Sequence, residues 1–148
     1  MTEFNRQFII PDCVPSQNEL NKKHWAKKHK ERKALTKAMR VLSMPRMDKR
    51  QVIRHVHFMQ YRRQRIQDSG NLIGGHKLIL DAMTHANLIY DDRDTVAPIW
   101  IIPVYEQDTL QGRRKQTIIT VRDAYIEEVQ DFITKEQKRM HSYQKRPS

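Results

Sequence analysis

The spacing of apolar residues in this chain changes several times, from every second residue to every third or fourth and back. A sequence carrying both periods has to pack helices against strands. Residues 51–61, QVIRHVHFMQY, alternate. Val52, Arg54, Val56 and Phe58 share one face of a strand, Ile53, His55, His57 and Met59 the other, and the pattern leaves open which face turns inward. FNRQFII (4–10) is apolar enough for a first strand, stopped by Pro11 and Pro15. VAPIWIIPVYEQ (96–107) and KQTIITVRD (115–123) read as two more, joined by a turn around Gln111-Gly112. Pro98 and Pro103 suggest that the former lies at an edge or carries a bulge. Helical spacing fills the intervals. Within 22–44, Leu35, Ala38, Met39 and Leu42 recur at i, i+3, i+4 and i+7, and Pro45 ends the run. A second helix starts near Asn71 and continues through LILDAMTHA, with Asn87 placed to cap its end. A closing amphipathic helix, about residues 124–140, puts Ile126, Val129, Phe132, Ile133 and Met140 on its apolar side. The order β-α-β-α-β-β-α predicts an α+β fold, a small mixed sheet with packed helices. Residues 1–142 are expected to form one domain, and 143–148 a loose tail.

Such a fold needs a core. With 38% hydrophobic residues over 148 positions, the chain can bury roughly two-thirds of its unfolded surface. Charge narrows the partners: 28 Lys and Arg face 17 Asp and Glu, a formal excess of +11. That favours polyanions, nucleic acid before membrane. Cys13 stands alone, which excludes an internal disulfide and a cysteine zinc site and suits a reducing cytosol. The opening MTEFNRQFIIPD has no long apolar run, and no window approaches the roughly 18 residues of a membrane span. A cytoplasmic protein without a membrane partner is expected.

The positive charge is concentrated. Residues 20–42 hold nine Lys and Arg against one Glu. Lys22, Lys23, Lys27, Lys28 and Lys30 can neutralise phosphates and release their counterions, and Arg62, Arg63 and Arg65 form a second basic run. Trp25 can stack on an exposed base, or it can anchor the helix to the core. This is a signal for nucleic acid in general and carries no sequence code.

Against that background the carboxylates gather in one window, DSGNLIGGHKLILDAMTHANLIYDDRDTV, residues 68–96. Asp68 follows a strand, Lys77 and Asp81 lie four apart on one helix face, and Asp91 and Asp92 precede the next strand. Packed side by side, these elements can bring Asp68, Asp81 and Asp91/Asp92 to one point. Clustered carboxylates repel unless a cation sits between them, and Mg²⁺, held by one or two carboxylates with water and substrate phosphate, is the natural candidate. Mn²⁺ is the alternative ion. Such an ion can promote hydrolysis of a phosphodiester, with Lys77 neutralising charge on the phosphate. The plainer readings are a surface ion pair at Lys77–Asp81 and a turn or cap at Asp91-Asp92. The seven histidines show no paired-ligand spacing, so His76, His85 and the two of HVH are expected to be surface or satisfied residues. Gly74-Gly75 lacks the Lys-Ser/Thr of a phosphate loop.

The order D-S-G-N-L, K-L-I-L-D-A-M-T-H-A and I-Y-D-D-R-D-T-V resembles the RusA family of Holliday-junction resolvases. The signature of that family is D-x-D-N, a helical lysine, L-D-A-L-x-x-A-G and a D-D pair before a strand. V-P-S-Q-N (14–18) is similar to its P-P-S-x-N element, and the likeness runs from about residue 7 to 122, leaving the last helix outside. The resemblance implies catalytic roles for Asp68, Lys77, Asp81, Asp91 and Asp92, with Asp68, Asp91 and Asp92 as metal ligands and Asn71 touching DNA. It also implies a metal-dependent homodimer that nicks symmetric strands of a four-way DNA junction, in recombination and repair. Two departures stand out. Gly70 replaces the second acid of D-x-D-N, so Asp81, Asp92 or Asp94 must supply a ligand or one metal position is weak. About three extra residues surround Gly74-Gly75, in a G-N-L-x-G-G-x-K form similar to that of some phage-type members. A branched-DNA-binding relative without cleavage is the first competing reading, and a basic RNA-binding protein the second.

Overall fold

A computed structural model of the chain describes residues 5–11, 16–42, 52–92 and 99–144. Cys13, Val14, Pro15, Pro45, Asp94, Pro98 and residues 145–148 lie outside the described residues, as do the side chains of Leu42 and Met140. The elements are β1 (Asn5–Ile10), α1 (Gln17–Asn21), α2 (Trp25–Leu42), β2 (Arg54–Arg62), α3 (Ser69–Gly74), α4 (Lys77–His85), β3 (Ile101–Thr109), β4 (Gln116–Asp123) and α5 (Ile126–Gln144). The fold is α+β. The helix expected over 22–44 is α2, α1 is an additional short helix ahead of it, and the helix expected from Asn71 is in fact the pair α3 and α4. Residues 22–24 separate α1 from α2, and Gly75-His76 separate α3 from α4. Ser16 caps α1 by accepting the Glu19 N–H at 3.2 Å, which starts that short helix ahead of the basic run.

The four strands form one mixed sheet in the order β1-β4-β2-β3. β2 and β3 run parallel, as strands joined through helices do, while β4 is antiparallel to both β1 and β2. β3 and β4 are joined by a tight turn in which Gln111 (φ 50°) and Gly112 (φ 76°) are left-handed and the Arg113 N–H reaches Leu110 O at 2.8 Å. They nonetheless do not pair, because β2 lies between them. Pro103 sits on β3 at the sheet edge, where a missing N–H is tolerated.

Arg54, Val56, Phe58 and Gln60 face inward from β2, which settles its orientation. Val56, Phe58, Ile119, Val121, Phe8 and Ile101 meet Met39 of α2 and Ile79, Leu80, Ala82 and Met83 of α4 in one core. At about 25 cal/mol per Å² of buried apolar area this layer contact is the main source of stability. Arg54 is buried in the same layer, opposite Asp123 of β4 and 3.1 Å from it. On α2, Leu35 and Met39 turn inward but Ala38 is exposed, and Thr36 takes its place, buried and hydrogen-bonded to Arg32 O. Asn87 follows α4 at φ 60°, the left-handed position expected of a helix stop.

The last helix is held at its start. Arg122 grips both Glu128 oxygens at 2.6 and 2.7 Å and lies over the Tyr125 ring. Beyond that anchor, Ile126 and Ile133 are exposed and Val129 and Phe132 half-buried, so the apolar side of α5 is amphipathic as expected but largely uncovered. Among the described residues no helix is long and apolar enough to cross a membrane.

Candidate functional site

The α3–α4 pair organises the acidic window. Asp68 is the N-cap of α3, its Oδ1 accepting the Asn71 N–H at 3.0 Å. Asn71 in turn accepts the Asn18 N–H at 2.8 Å, tying α3 to α1. Between the two helices His76 is fully buried. Its Nδ1 lies 2.8 Å from Leu72 O, which can only accept, so Nδ1 carries the proton and Nε2 accepts from Gln60 Nε2 at 3.0 Å. Gln60 Oε1 then accepts from Arg62 at 2.8 Å. Burial lowers the His76 pKa to about 4, with the nearby Arg62 charge adding to it, so the ring is neutral. His76 is a satisfied core residue whose hydrogen bonds run out to the basic segment.

Lys77 starts α4, exposed, and Asp81 lies one turn on. Asp91 and Asp92 follow Tyr90, which packs against Trp100 with ring centroids 4.4 Å apart, and the Asp92 N–H donates to Asp91 Oδ1 at 2.7 Å. Burial raises the Asp92 pKa, its hydrogen bond to the Asp91 side chain and the charge of Asp81 raise it further, and Lys77 opposes them. Lys77, Asp81, Asp91 and Asp92 therefore share one electrostatic neighbourhood. Asp68 stands apart in what it touches, its capping oxygen serving α3. Among the described residues, no three His, Cys, Asp or Glu side chains already converge as ligands. The push that Asp81 and Asp91 exert on Asp92 is of the kind a cation would relieve.

Two clefts bring cations to this region. The first, about 440 Å³, is lined by Trp25, Lys28, His29 and Arg32 of α2, by Gln17, Leu20 and Asn21 of α1, and by Lys77, Leu78 and Asp81 of α4. Trp25 is 73% exposed there, which excludes the core-anchor reading and leaves its ring available for stacking. The second, about 760 Å³, is lined by Lys23, Arg62, Arg63, Arg65, Asn71 and Lys115 among others. Gln107 holds the backbone of Ile66 through two hydrogen bonds, to its N–H at 2.9 Å and its carbonyl at 2.7 Å, fixing the loop that carries the arginines. Lys22, Lys27 and Lys30 are exposed on or beside α2 but line neither cleft.

Arg32 and Lys115 were absent from the sequence-based set. Arg32 lies one turn beyond Lys28, and the i, i+4 spacing on a cationic face is the signal that points to it. Lys115 precedes β4 and reaches the site because Gln116 pairs with Tyr61, a register no local pattern carries. No family model matches the chain, and no curated protein matches it.

Proposed function

We propose that the chain is a Mg²⁺-dependent, structure-selective DNA endonuclease that resembles the RusA resolvases and cuts four-way junctions by paired nicks, in recombination and repair. The observation that carries this reading is that Lys77 and Asp81 line a cleft with an exposed tryptophan and cations, while both also act on the Asp92 carboxyl, which burial and Asp91 raise. In a protein with a formal charge of +11, acids set beside acids are best explained by a cation that the folded chain expects. Asp81, Asp91 and Asp92 would hold it, with Asp68 nearby on the sequence and engaged in capping. When bound, Mg²⁺ or Mn²⁺ supplies charge stabilisation for displacement at phosphorus. The chain's own residues do the positioning. Trp25 stacks on a base, Lys28 and Arg32 pair with flanking phosphates, and the Lys77 ammonium donates to a non-bridging oxygen as charge builds there. Water attacks phosphorus and gives up one proton, the bond to the leaving sugar oxygen breaks, and that oxygen takes up one proton, so the step is neutral in protons overall. A cytoplasmic homodimer would offer two such sites to a twofold-symmetric junction.

A second reading, branched-DNA binding without cleavage, draws on Gly70. A side chain built there would begin 3.2 Å from Asp68 Oδ1, so an acid at this position would stand beside Asp68, and glycine leaves that place without a ligand.

The test is incubation of a labelled four-way junction and a matched linear duplex with the protein, in Mg²⁺, Mn²⁺ or EDTA, with Asp92→Asn alongside. Paired nicks that need the metal, the junction and Asp92 establish the nuclease. Tight junction binding with no nicks in either metal selects the binding protein. Equal affinity for junction and duplex, with preference for RNA, overturns both.

A further inference from the structure

Resting on the nucleic-acid reading, we infer that α1 is a ridge that parts two strands, one lying in each cationic cleft, and that this ridge is the source of selectivity for branched DNA. Four of the five residues of α1, with its cap Ser16, form a wall of both clefts. Ser16 and Glu19 face the Arg62–Arg65 side, and Gln17, Leu20 and Asn21 face the Trp25–Lys77 side. The helix itself, QNELN, carries no cation. Positive potential therefore falls into two channels with a largely neutral crest between them, and two phosphate backbones that repel each other are best accommodated one per channel.

The crest is rigidly seated. Leu20 is buried beneath it, Asn71 accepts the Asn18 N–H at 2.8 Å, and Gln17 Nε2 donates to Asn21 Oδ1 at 2.7 Å. A Cβ at Gly74 would run into the Gln17 carboxamide, so the Gln17 side chain would have to swing aside and leave its seat on α1. A single short helix tied down at both flanks is poorly suited to entering a major groove about 8.5 Å deep. It is well suited to sitting where strands have already diverged. Trp25, at the mouth of one channel, would then stack on a base freed by that divergence.

The experiment measures binding in EDTA, so cleavage plays no part, to a splayed-arm fork, a matched linear duplex and a matched single strand. The proteins are wild type, Arg63→Glu/Arg65→Glu, Lys28→Glu/Arg32→Glu and Gly74→Ala, with thermal melts to confirm folding. The milder Arg63→Gln/Arg65→Gln pair should show the same direction at smaller size. Wild type is expected to prefer the fork about tenfold or more. Each charge reversal should weaken fork binding by about tenfold, lower its log–log salt slope by about 2, and bring the fork-to-duplex preference towards one. Gly74→Ala should reduce that preference while leaving duplex affinity in place. If either reversal weakens fork and duplex by the same factor, or one leaves the fork unaffected, the two strands are not parted by α1 and the inference falls while nucleic-acid binding stands. If wild type binds none of the three, the nucleic-acid reading itself fails and takes this one with it.

Discussion

Glu128 and Asp92 are both carboxylates near the ends of elements in a basic chain, and the fold treats them in opposite ways. Glu128 receives two hydrogen bonds from Arg122 and one from the Tyr125 N–H at 2.9 Å. The Arg122 bonds bring its pKa down to about 2, against some opposition from burial. Asp92 is pushed the other way, by burial and by Asp91 and Asp81. Lys77 opposes that push without reversing it. The Glu128 region is arranged for stability. The Asp92 region keeps an electrostatic cost that folding alone does not require, and residual strain of that kind concentrates where chemistry is done.

The contrast breaks most sharply at Asp92. Asp92→Asn should lower junction cleavage by at least about 100-fold while junction affinity stays within a few-fold, measured by nicking and by binding in EDTA. A raised folded-state pKa means the ionised side chain disfavours folding above the ordinary carboxylate range, so the cost is fully present at pH 7 and the amide removes it. The variant should melt higher than wild type at pH 7. Added Mg²⁺ should raise the melting temperature of wild type and leave the variant unmoved. A variant that melts lower and cuts normally would make Asp92 a second Glu128. Lys77→Met is expected to lower kcat by about 10- to 100-fold with little change in binding, since a single cation acting in the transition state is worth a few kcal/mol. A loss confined to affinity would place Lys77 with the phosphate-tracking lysines instead.

How much of this was legible follows from how local each feature is. Lys77 with Asp81, and Asp91 with Asp92, are neighbours by spacing, and their shared environment follows once α4 and the segment after it pack on the sheet. Asp68 reads as a ligand from the same window, and the structure adds that its Oδ1 caps α3, a short-range role that D-x-x-N spacing also carries. The alternation of 51–61 marked a strand, but only packing against α4 decided that Arg54 and Gln60 turn inward with Val56 and Phe58. The break at residues 22–24 contains no Gly or Pro, and the one local sign of α1 is the S-x-x-E spacing of Ser16 and Glu19, which an expected helix starting at 22 passes over. The turn at Gln111-Gly112 was visible and its consequence was not, because the partner inserted between β3 and β4 comes from 40 and more residues earlier in the chain. The clefts are the least local features. Trp25, Lys77 and Arg32 meet only because α2 and α4 lie together, which no periodicity specifies.

Two milder tests sharpen the stability side of the comparison. His76 is a titratable group kept neutral by burial, and an unfolded chain would bind a proton there first as pH falls below 6.5. Stability from this residue is complete above that value and is lost between 6.5 and about 4. Urea titrations should lose roughly 2 kcal/mol between pH 7 and pH 5, with m unchanged. A flat profile over that window would mean that the ring takes a proton as readily in the fold as in the unfolded chain, with the Gln60 amide turned so that its oxygen accepts from the new Nε2–H.

Glu128→Gln is the smallest effect and tests the other pole. Its depressed pKa means that the ion pair stabilises the fold above about 4.5 and fades as pH falls towards 2, a window below that of His76. Because the pair is partly exposed, the expected loss at pH 7 is at most about 1 kcal/mol, a shift of roughly 2–4 °C. The variant should also lose part of the acid dependence between pH 4.5 and 2 while junction cleavage is unchanged. Salt separates the two regions further. Screening should narrow the difference between Glu128→Gln and wild type, since the Arg122 pair is reached by solvent, and should leave the gain from Asp92→Asn in place to the extent that burial rather than neighbouring charge causes it. If Glu128→Gln instead reduced cleavage, α5 and its anchor at Arg122 would belong to the working surface, and the division between a stabilising acid and a functional one would have to be redrawn around that helix.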